Sequence, residues 1–423
     1  MLRHAFGRAL SRLRPPPIGS PMRVAFLAGP GNVWSVYDHL VAGRPDTSTS
    51  HVAYSELFLR AARAVGARSL VLTTHPERDR MRFDDVEVRR IEDDFAGKGG
   101  LRFHAASGAM ALRLARVFRS WRPDVVILSD DPPRMVASEL IRVGGPRVLR
   151  AHHCRMAAKS RTQRALNAVD GVLVRRGITA FLSASTDVTR ELEHVFRGHP
   201  PPVVEFLPHY RRGSYDLPPP DPRAAVLRVV YIGRVEVAKG VLDVVEAAAA
   251  LRDRADVAFD ICGDGGAMAA LRARVREAGL TEKVRLHGWL DRPGLVEVLR
   301  GAHVGIVPTR SRILEGFNQA AVESLLAGRP VITSNVVPAL EYARSACVEV
   351  PPDRPEGYAR AIRELADDRD RYARLAAACA AETEKFLRPE TSFAAALEHV
   401  LRAIRDGEPI RERRIDPRGR VGG

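Results

Sequence analysis

Two glutamates, Glu315 and Glu323, stand in the segment ILEGFNQAAVESLLAGRP, and the second lies where burial is expected. Its neighbours are mostly Ala, Val and Leu residues of a predicted helix over residues 319–327. A buried carboxylate is destabilising unless hydrogen-bond donors or a cation meet it. The vicinal hydroxyls of a ribose would be suitable donors, and a structural salt bridge with Arg310 or Arg329 is the alternative.

The amino end of this predicted helix favours binding of an anion. Asn318 is a good N-cap, and Glu315, Gly316 and Phe317 come directly before it. The first-turn N–H groups of a helix have no partner within the helix, and they lie at the positive end of its dipole. Gly316 would let a ligand approach the backbone closely. The segment therefore predicts an anion-binding helix N-terminus.

A second group of candidate residues stands in the segment YIGRVEVAKGV. Gly233 and Arg234 end a predicted strand, and Lys239 and Gly240 come just before the next helix. Two cations beside a glycine turn suit a diphosphate, because arginine binds oxygens as a bidentate fork and lysine acts as a point charge. A basic surface loop without a ligand is the alternative. The glycine-rich turn ICGDGG at residues 261–266 is a weaker signal of the same kind.

The elements that must position these residues form two alternating series of strands and helices. At 423 residues the chain exceeds one ordinary core, and such alternation predicts an α/β fold of two doubly wound, Rossmann-like domains that face a cleft. In the first half, the predicted strands begin at residues 23, 69, 124, 147 and 171. The predicted boundaries are a basic tail at 1–21, an N-terminal domain at 22–206, a Pro-rich linker at 207–224, a C-terminal domain at 225–385, a returning helix at 386–405 and a disordered tail at 406–423.

Most of the excess positive charge belongs to the first half of the chain. The net charge is +15, of which +12 falls within residues 1–222. Such a surface attracts nucleic acid, anionic lipid or a phosphorylated substrate, or it is simply a solvated, Arg-rich surface. No recognition helix, zinc-ligand spacing or aromatic–basic RNA motif appears, so no nucleic-acid partner is expected.

The cysteines and the hydropathy indicate a reducing, cytoplasmic setting. The four cysteines are scattered and form no CxxC motif, so neither a disulfide framework nor a zinc site is expected. No apolar run approaches the roughly 20 residues of a membrane span. The basic start MLRHAFGRALSRLRPPP lacks the apolar core of a signal peptide, and it is interpreted as a frayed tail or a short membrane-surface helix.

The order of these landmarks resembles that of the retaining glycosyltransferases of the GT-B fold, family 4 (group 1). The landmarks run from strand-G-R-x4-K-G through LHGWLDRPGLVEVLRGAHVGIVPT to E-x7-E and AGRPVI, and they cover about residues 223–385. The resemblance implies a GT-B architecture, with C-terminal helices that pack back on the first domain. It also implies a nucleotide-diphosphate sugar, held as the donor by the C-terminal domain.

By motif position, the resemblance assigns roles to individual residues. Arg234 and Lys239, beside Gly233, would hold the diphosphate, and Glu323 would take the ribose hydroxyls. Glu315 would act at the donor sugar as a catalytic residue. The remaining donor-binding positions are the backbone of Gly316, Phe317 and Asn318, and Gly288 and Trp289 near the base.

In this family a histidine after a strand of the first domain often faces the donor sugar. The segment LRAHHC offers His152 as the first candidate and His153 as the second, and a capped or solvated histidine is the alternative. The chain departs from the family in its first loop, where TSTSHVAYSE follows AGPGN without the usual Gly-Gly pattern. It also reads LPHYRRGSYD where PNG-x-D is usual. The departure in the first loop leaves the acceptor loop unassigned.

The resemblance implies transfer with retention of anomeric configuration, and the residues predict that transfer needs neither a metal nor another cofactor. The cations and the helix N-terminus would stabilise the leaving diphosphate. The segment Asp368-Arg369-Asp370, the literal D-x-D, is interpreted as solvated charge on a helix. A glycan or lipid-linked sugar is expected as the acceptor, with peripheral contact of the basic first domain to an anionic membrane. The alternatives are a catalytically silent nucleotide-sugar-binding protein and an epimerase of the same fold.

Overall fold

The structure is a computed structural model. It describes residues 21–44, 46, 49–92, 98, 100–128, 147–152, 177–196, 198–313 and 315–423. Three of the sequence predictions fall outside these residues: all but the last residue of the basic tail, the strand predicted to begin at residue 171, and His153 as the second histidine candidate.

An eight-stranded sheet forms the centre of the first domain, in the order β3-β4-β2-β1-β5-β6-β7-β8. Every neighbouring pair is parallel except β3 and β4. The strands are β1 (Arg23–Gly29), β2 (Arg68–Thr73), β3 (Arg80–Phe83), β4 (Val86–Arg90), β5 (Val125–Leu128), β6 (Val148–His152), β7 (Ile178–Ser183) and β8 (Val203–Glu205). The helices described in this domain are α1 (Val33–Val41), α2 (Tyr54–Ala64), α3 (Gly100–Trp121) and α4 (Thr186–Val195).

The side chains of β1 show why both faces of this sheet are covered. Val24 and Phe26 join one hydrophobic cluster, whereas Ala25 and Leu27 join another. All four are buried. Successive side chains of a strand point to opposite faces of its sheet, so a strand that is apolar throughout requires cover on both sides.

Six parallel strands form the sheet of the second domain, in the order β11-β10-β9-β12-β13-β14. In such sheets, ligands bind beyond the carboxyl ends of the strands where the strand order reverses, which is here between β9 and β12. The strands are β9 (Leu227–Ile232), β10 (Val257–Cys262), β11 (Val284–Gly288), β12 (Val304–Val307), β13 (Val331–Thr333) and β14 (Cys347–Glu349). The helices are α5 (Val241–Ala249), α6 (Met268–Glu277), α7 (Arg292–Gly301), α8 (Gln319–Leu326), α9 (Ala339–Tyr342), α10 (Pro355–Asp367) and α11 (Arg369–Thr383).

The chain then returns to the first domain through α12 (Phe393–Asp406). Its first residue, Phe393, lies 5.1 Å from Phe206 and 5.4 Å from Tyr54 of the first domain, measured between ring centroids. The buried side chains of α12 belong to the same hydrophobic cluster as β1 and α2. The prediction of two doubly wound domains, with a C-terminal helix packed back on the first, is therefore confirmed.

The last residues of the chain are ordered, which corrects the predicted disorder of residues 406–423. Arg413 pairs with Val204 at the outer edge of the first sheet. Ile415 is 2% exposed, and its N–H donates to the Glu205 carboxylate (2.7 Å). A polar segment is thus held by one buried apolar residue and by pairing with a sheet edge that would otherwise be open. It forms the hairpin of β15 (Arg414–Ile415) and β16 (Val421–Gly422).

Replacing Ile415 with serine is expected to lower the free energy of unfolding by about 3 kcal/mol, because a buried apolar side chain is lost and a cavity is left beside β8. Val421 of the same hairpin is 44% exposed, so Val421→Ser should change stability little. Urea unfolding followed by circular dichroism compares the two variants. Equal effects of the two substitutions would mean that this hairpin does not pack as described.

Candidate active site in the cleft

A cavity of about 340 Å³ lies in the cleft between the two domains. Its walls include the carboxyl ends of β9 and β12, the amino end of α8, and Tyr54, Ala184 and Pro208 from the first domain and linker. Cavities of this size hold small-molecule ligands. The cavity brings together eight of the residues predicted from the sequence: Gly233, Arg234, Lys239, Glu315, Gly316, Phe317, Asn318 and Glu323.

Asn318 shapes the amino end of α8. Its side chain accepts a hydrogen bond from the N–H of Ala321 (3.1 Å), as predicted for an N-cap. Its backbone has φ +81°, in a region that asparagine tolerates better than most residues. The Gly316 carbonyl accepts from the Ser185 hydroxyl (2.7 Å), so the first domain is tied directly to this turn.

Glu315 is buried at the centre of a polar cluster on the cavity wall. Its Oε1 accepts hydrogen bonds from Lys239 Nζ, from the Thr309 hydroxyl (3.0 Å) and from the Asn318 side-chain amide (3.3 Å). An ammonium group has three donors, so Lys239 keeps further N–H groups for an anion in the cavity. The cluster therefore places an ammonium group, balanced by the Glu315 carboxylate, beside the amino end of α8.

Gly240 allows Lys239 to reach this position. The glycine has φ +74° and lies between a short 3-10 turn at Val237–Lys239 and α5. A Cβ at this residue would stand 1.9 Å from the carbonyl oxygen of Pro308 at the end of β12. The Lys-Gly pair therefore meets a steric requirement, since only glycine lets these two backbone segments approach so closely.

Arg234 also lines the cavity, but its side chain is 66% exposed. Its guanidinium pairs with Glu236 (2.7 Å), and its carbonyl accepts from the Tyr231 hydroxyl (2.7 Å). Exposed ion pairs contribute little to stability. The guanidinium can therefore turn to an incoming diphosphate at small cost, while Tyr231 holds the backbone in place.

Glu323 is 4% exposed, buried as predicted, and neither of the salt bridges considered for it forms. Arg310 pairs instead with Asp243 (2.9 Å), and Arg329 donates to backbone carbonyls. The side chain of Ser50, from the first domain, lies near the Glu323 carboxylate and favours its charged form. Burial raises the pKa of Glu323 to about 7. A hydroxyl group, and neither of the two arginines, therefore approaches this carboxylate.

The raised pKa of Glu323 predicts that nucleotide affinity rises with pH. Ribose hydroxyls donate to the charged carboxylate, so bound nucleotide lowers the Glu323 pKa below about 7. Binding then releases a proton below that pH, and affinity should increase up to about pH 7 and level off above it. Isothermal titration calorimetry on both sides of that pH measures the effect, which Glu323→Gln should abolish. A flat wild-type profile would contradict the prediction.

Three residues of the segment TSTSHVAYSE reach this site from the first domain, and none was predicted from the sequence: Ser50, His51 and Tyr54, of which Tyr54 lines the cavity. The Ser50 carbonyl accepts from the Tyr215 hydroxyl (3.4 Å), and His51 Nε2 lies 3.3 Å from the side-chain nitrogen of Gln319. Burial lowers the pKa of His51 to about 4, so the neutral ring accepts from the Gln319 amide. The missing Gly-Gly pattern was the available signal, but it did not indicate a contact across the cleft.

The residues predicted near the base do not line the cavity. Gly288 ends β11, and its carbonyl accepts from the N–H of Gly263 (2.7 Å), whereas Trp289 is 70% exposed. Their base-binding role stays a prediction. Phe317 does line the cavity, but its ring packs against Tyr342 at 5.3 Å between centroids. Its side chain is therefore a structural anchor.

His152 ends β6 at the carboxyl edge of the first sheet. It is in register with Ser183 of β7. The next residue after Ser183 is Ala184, which lines the cavity. The end of this strand therefore lies at the cavity side of the sheet, and the role of His152 in catalysis stays a prediction.

The described part of the chain contains no cluster of three or more His, Cys, Asp or Glu residues arranged to hold a metal ion. None of the described helices is both long and apolar enough to cross a bilayer. Asp368, from the D-x-D segment, is the N-cap of α11 and accepts from the N–H of Arg371 (2.8 Å). That carboxylate therefore has a capping role.

Comparison with known proteins identifies the second domain. Residues 227–368 match the family model described as Glycosyl transferases group 1. The second domain belongs to this family. A glycogen synthase from Mycobacterium tuberculosis is 26% identical over 59% of this chain and 62% of its own length, so less than two thirds of that relative is matched. A 2-deoxystreptamine N-acetyl-D-glucosaminyltransferase from Streptomyces fradiae is 25% identical over 77% of this chain and 82% of its own.

The fold of the whole chain is also that of known glycosyltransferases. The structure of Anabaena HepE in complex with UDP superposes with a TM-score of 0.62, over 91% of this chain and 100% of that chain, at 13% identity. Such low identity shows the fold alone, and the two sheets are the two halves of the GT-B fold. These matches therefore show the family of the second domain and the fold of the chain.

Proposed function

We propose that the protein transfers a sugar from a nucleotide-diphosphate donor to a glycan or lipid-linked acceptor, with retention of anomeric configuration and without a metal ion. The observation that carries the proposal is Glu323, a carboxylate that is buried on the cavity wall near Ser50 and is paired with neither Arg310 nor Arg329. The two hydroxyls of a ribose would satisfy this carboxylate better than one serine does, because each carboxylate oxygen can accept a charge-assisted hydrogen bond.

The cationic side of the cavity suits the diphosphate that leaves during transfer. Lys239, Arg234 and the amino end of α8 line one wall, and together they would stabilise the negative charge that develops there. Glu315 and the backbone of Gly316 would face the donor sugar. In the proposed reaction the acceptor hydroxyl attacks the anomeric carbon on the face from which the diphosphate leaves. A leaving phosphate oxygen takes the hydroxyl proton, so no separate base is required.

Thermal-shift measurements with nucleotide diphosphates and their sugars test the donor part of the proposal. UDP is the first ligand to try, because HepE, which has the same fold, was solved with UDP. A ligand present at 100 times its Kd should stabilise the protein by roughly 2.7 kcal/mol. Failure of every nucleotide diphosphate to raise the Tm would contradict the proposal.

Donor hydrolysis separates the transferase from a catalytically silent binding protein. The purified protein should release nucleotide diphosphate slowly from its donor even without an acceptor, because water can attack the activated sugar. A nucleotide sugar that is bound and never hydrolysed would favour the silent binder. A changed, still nucleotide-linked sugar would favour the epimerase.

His152→Ala is expected to slow donor turnover by at least about tenfold and to leave nucleotide affinity unchanged, because the histidine would meet the sugar and not the nucleotide. The hydrolysis rate and the Kd for the nucleotide diphosphate measure the two effects separately. An equal loss of nucleotide affinity in His152→Ala and in Glu323→Ala would contradict this division of roles.

The acceptor side of the proposal follows from charge. A growing surface glycan or a lipid-linked sugar fits a protein whose positive charge is concentrated in the domain opposite the donor. The proposed location is the cytoplasm, with peripheral attachment to the inner face of the membrane.

A further inference from the structure

The outward side of α3 carries exposed leucines and arginines. Leu101 is 89% exposed and Leu112 is 58% exposed, whereas the opposite side of the helix is buried on the sheet through residues such as Leu114 and Phe118. Because an α-helix has 3.6 residues per turn, one set of residues lies along this outward side. We call this set the α3 stripe: Leu101, Arg102, Ala105, Leu112, Arg116 and Arg119.

The charge of α3 is of one sign. Its 22 residues include four arginines and no acidic residue. Arg113 pairs with Glu92 (3.5 Å) on the flank of the helix. Arg102, Arg116 and Arg119 form no ion pair with any residue that the structure describes. Within the part of the chain that the structure describes, three arginines without an ion-pair partner therefore lie beside the two exposed leucines.

We propose that the α3 stripe docks the protein on an anionic lipid bilayer. Leucines would enter the boundary between headgroups and acyl chains, and the arginines would lie among the phosphates, which is how interfacial amphipathic helices bind. Binding to the bilayer requires both groups. Each basic residue near an anionic surface strengthens binding only about fivefold, which corresponds to about 1 kcal/mol of binding free energy, and the leucines add the apolar contact. The proposal extends the proposed function, because it names the surface that would bring the protein to a lipid-linked acceptor. Only this link to the acceptor rests on the proposed function.

The topology puts this surface next to the active site. α3 follows β4, which is parallel to β2, so its amino end begins on the side where the parallel strands have their carboxyl ends. The cavity lies on the same side of the sheet, since it includes Ala184, just after β7. Leu101 is the second residue of α3 and stands at this end. A bilayer on the α3 stripe would therefore lie beside the mouth of the cleft.

Exposed leucines favour a bilayer over nucleic acid. Arginines alone would suit phosphates of either partner, but a nucleic-acid backbone offers no apolar phase for Leu101 and Leu112. Substitution of the leucines should therefore weaken binding to a bilayer and leave binding to nucleic acid unchanged.

Co-sedimentation of the full chain with vesicles tests the proposal. The vesicles are phosphatidylcholine with or without phosphatidylglycerol, at low and at physiological salt. Three variants are compared with the wild type. They are Leu101→Gln/Leu112→Gln, Arg102→Gln/Arg116→Gln/Arg119→Gln, and the charge-matched control Arg272→Gln/Arg274→Gln/Arg276→Gln on the exposed side of α6 in the other domain.

The wild type should bind only the anionic vesicles, and more weakly as salt rises. The α3 arginine variant should lose on the order of 100-fold in partition coefficient, at about fivefold for each charge. The leucine variant should lose about tenfold, and the α6 variant should bind like the wild type. The single variant Leu101→Gln is included in case a multiple variant does not fold, because a side chain as exposed as Leu101 contributes little to stability.

Several outcomes would overturn the proposal. These are wild-type protein that ignores anionic vesicles, an α6 variant that loses as much binding as the α3 variant, or a leucine variant that binds like the wild type. Duplex DNA binding that requires the α3 arginines and not the leucines would assign the stripe to nucleic acid instead. The nucleotide thermal shift should be the same in every variant, so a failure of membrane docking is distinguishable from a failure of the proposed donor site.

Discussion

Lys239→Met is expected to weaken binding of UDP by about 100-fold, which corresponds to about 2.7 kcal/mol. Lys239 lines the cavity and points its ammonium at the Glu315 cluster beside the amino end of α8. A hydrogen bond between charged groups contributes roughly 1.5–3 kcal/mol, and more where water is excluded. Uridine lacks the diphosphate and should lose little affinity. Calorimetric titration with UDP and with uridine measures both effects.

The contact with Glu315 allows a second explanation of such a loss, in which Lys239 serves only to neutralise that carboxylate. The double variant Lys239→Met/Glu315→Gln separates the two explanations. If Lys239 binds the diphosphate, the double variant stays weak, whereas recovery of wild-type affinity would refute the assignment. Lys283→Met is the matched control, because Lys283 is in the same domain and donates to the Arg254 carbonyl (2.5 Å).

Glu323→Ala is expected to weaken UDP binding by a similar factor, on the order of 100-fold, through the loss of two charge-assisted hydrogen bonds to the ribose. The sharper measurement is discrimination between UDP and its 2′,3′-dideoxy analogue. The wild type should prefer UDP strongly, because the analogue lacks the two ribose hydroxyls that would donate to the buried carboxylate. Glu323→Ala should bind the two nucleotides almost equally, since the carboxylate that distinguishes them is gone.

Ser324→Ala is the control for this variant. Ser324 is also buried and stands next to Glu323 in α8, but its hydroxyl donates to the Ala320 carbonyl (2.9 Å). A Cβ on Gly305 would clash with that hydroxyl, so Ser324 faces β12 and not the cavity. If Ser324→Ala abolished the preference for UDP, or if Glu323→Ala retained it, the ribose role of Glu323 would be wrong.

The donor half of the cavity was largely predictable because its residues lie close together along the chain and their spacing has steric causes. The Lys-Gly pair at Lys239 reflects the close approach of Gly240 to Pro308. Asn318 and Gly328 mark the two ends of α8, and both have the positive φ that their residue types favour. Glu323 was conspicuous because its neighbours are apolar. In each case local chemistry determines the conformation.

Several elements of the first domain were not predictable in the same way. The antiparallel pair of β3 and β4 has an exposed, arginine-rich edge strand, which does not show the apolar pattern of a buried strand. The carboxyl-terminal hairpin has a polar composition and is ordered by Ile415 and by the edge of β8. Order in both places depends on a neighbouring strand and not on the segment itself.

The amino-acid sequence by itself determined that this protein has two doubly wound domains, and it determined which residues of the second domain converge at a cleft, because periodicity and turn chemistry are local properties. Only the tertiary structure decided what Glu323 contacts. The choice between Arg310, Arg329 and a hydroxyl depended on where the first domain places Ser50, far away in the chain. A contact between distant segments is set by the packing of whole domains, which no local spacing encodes.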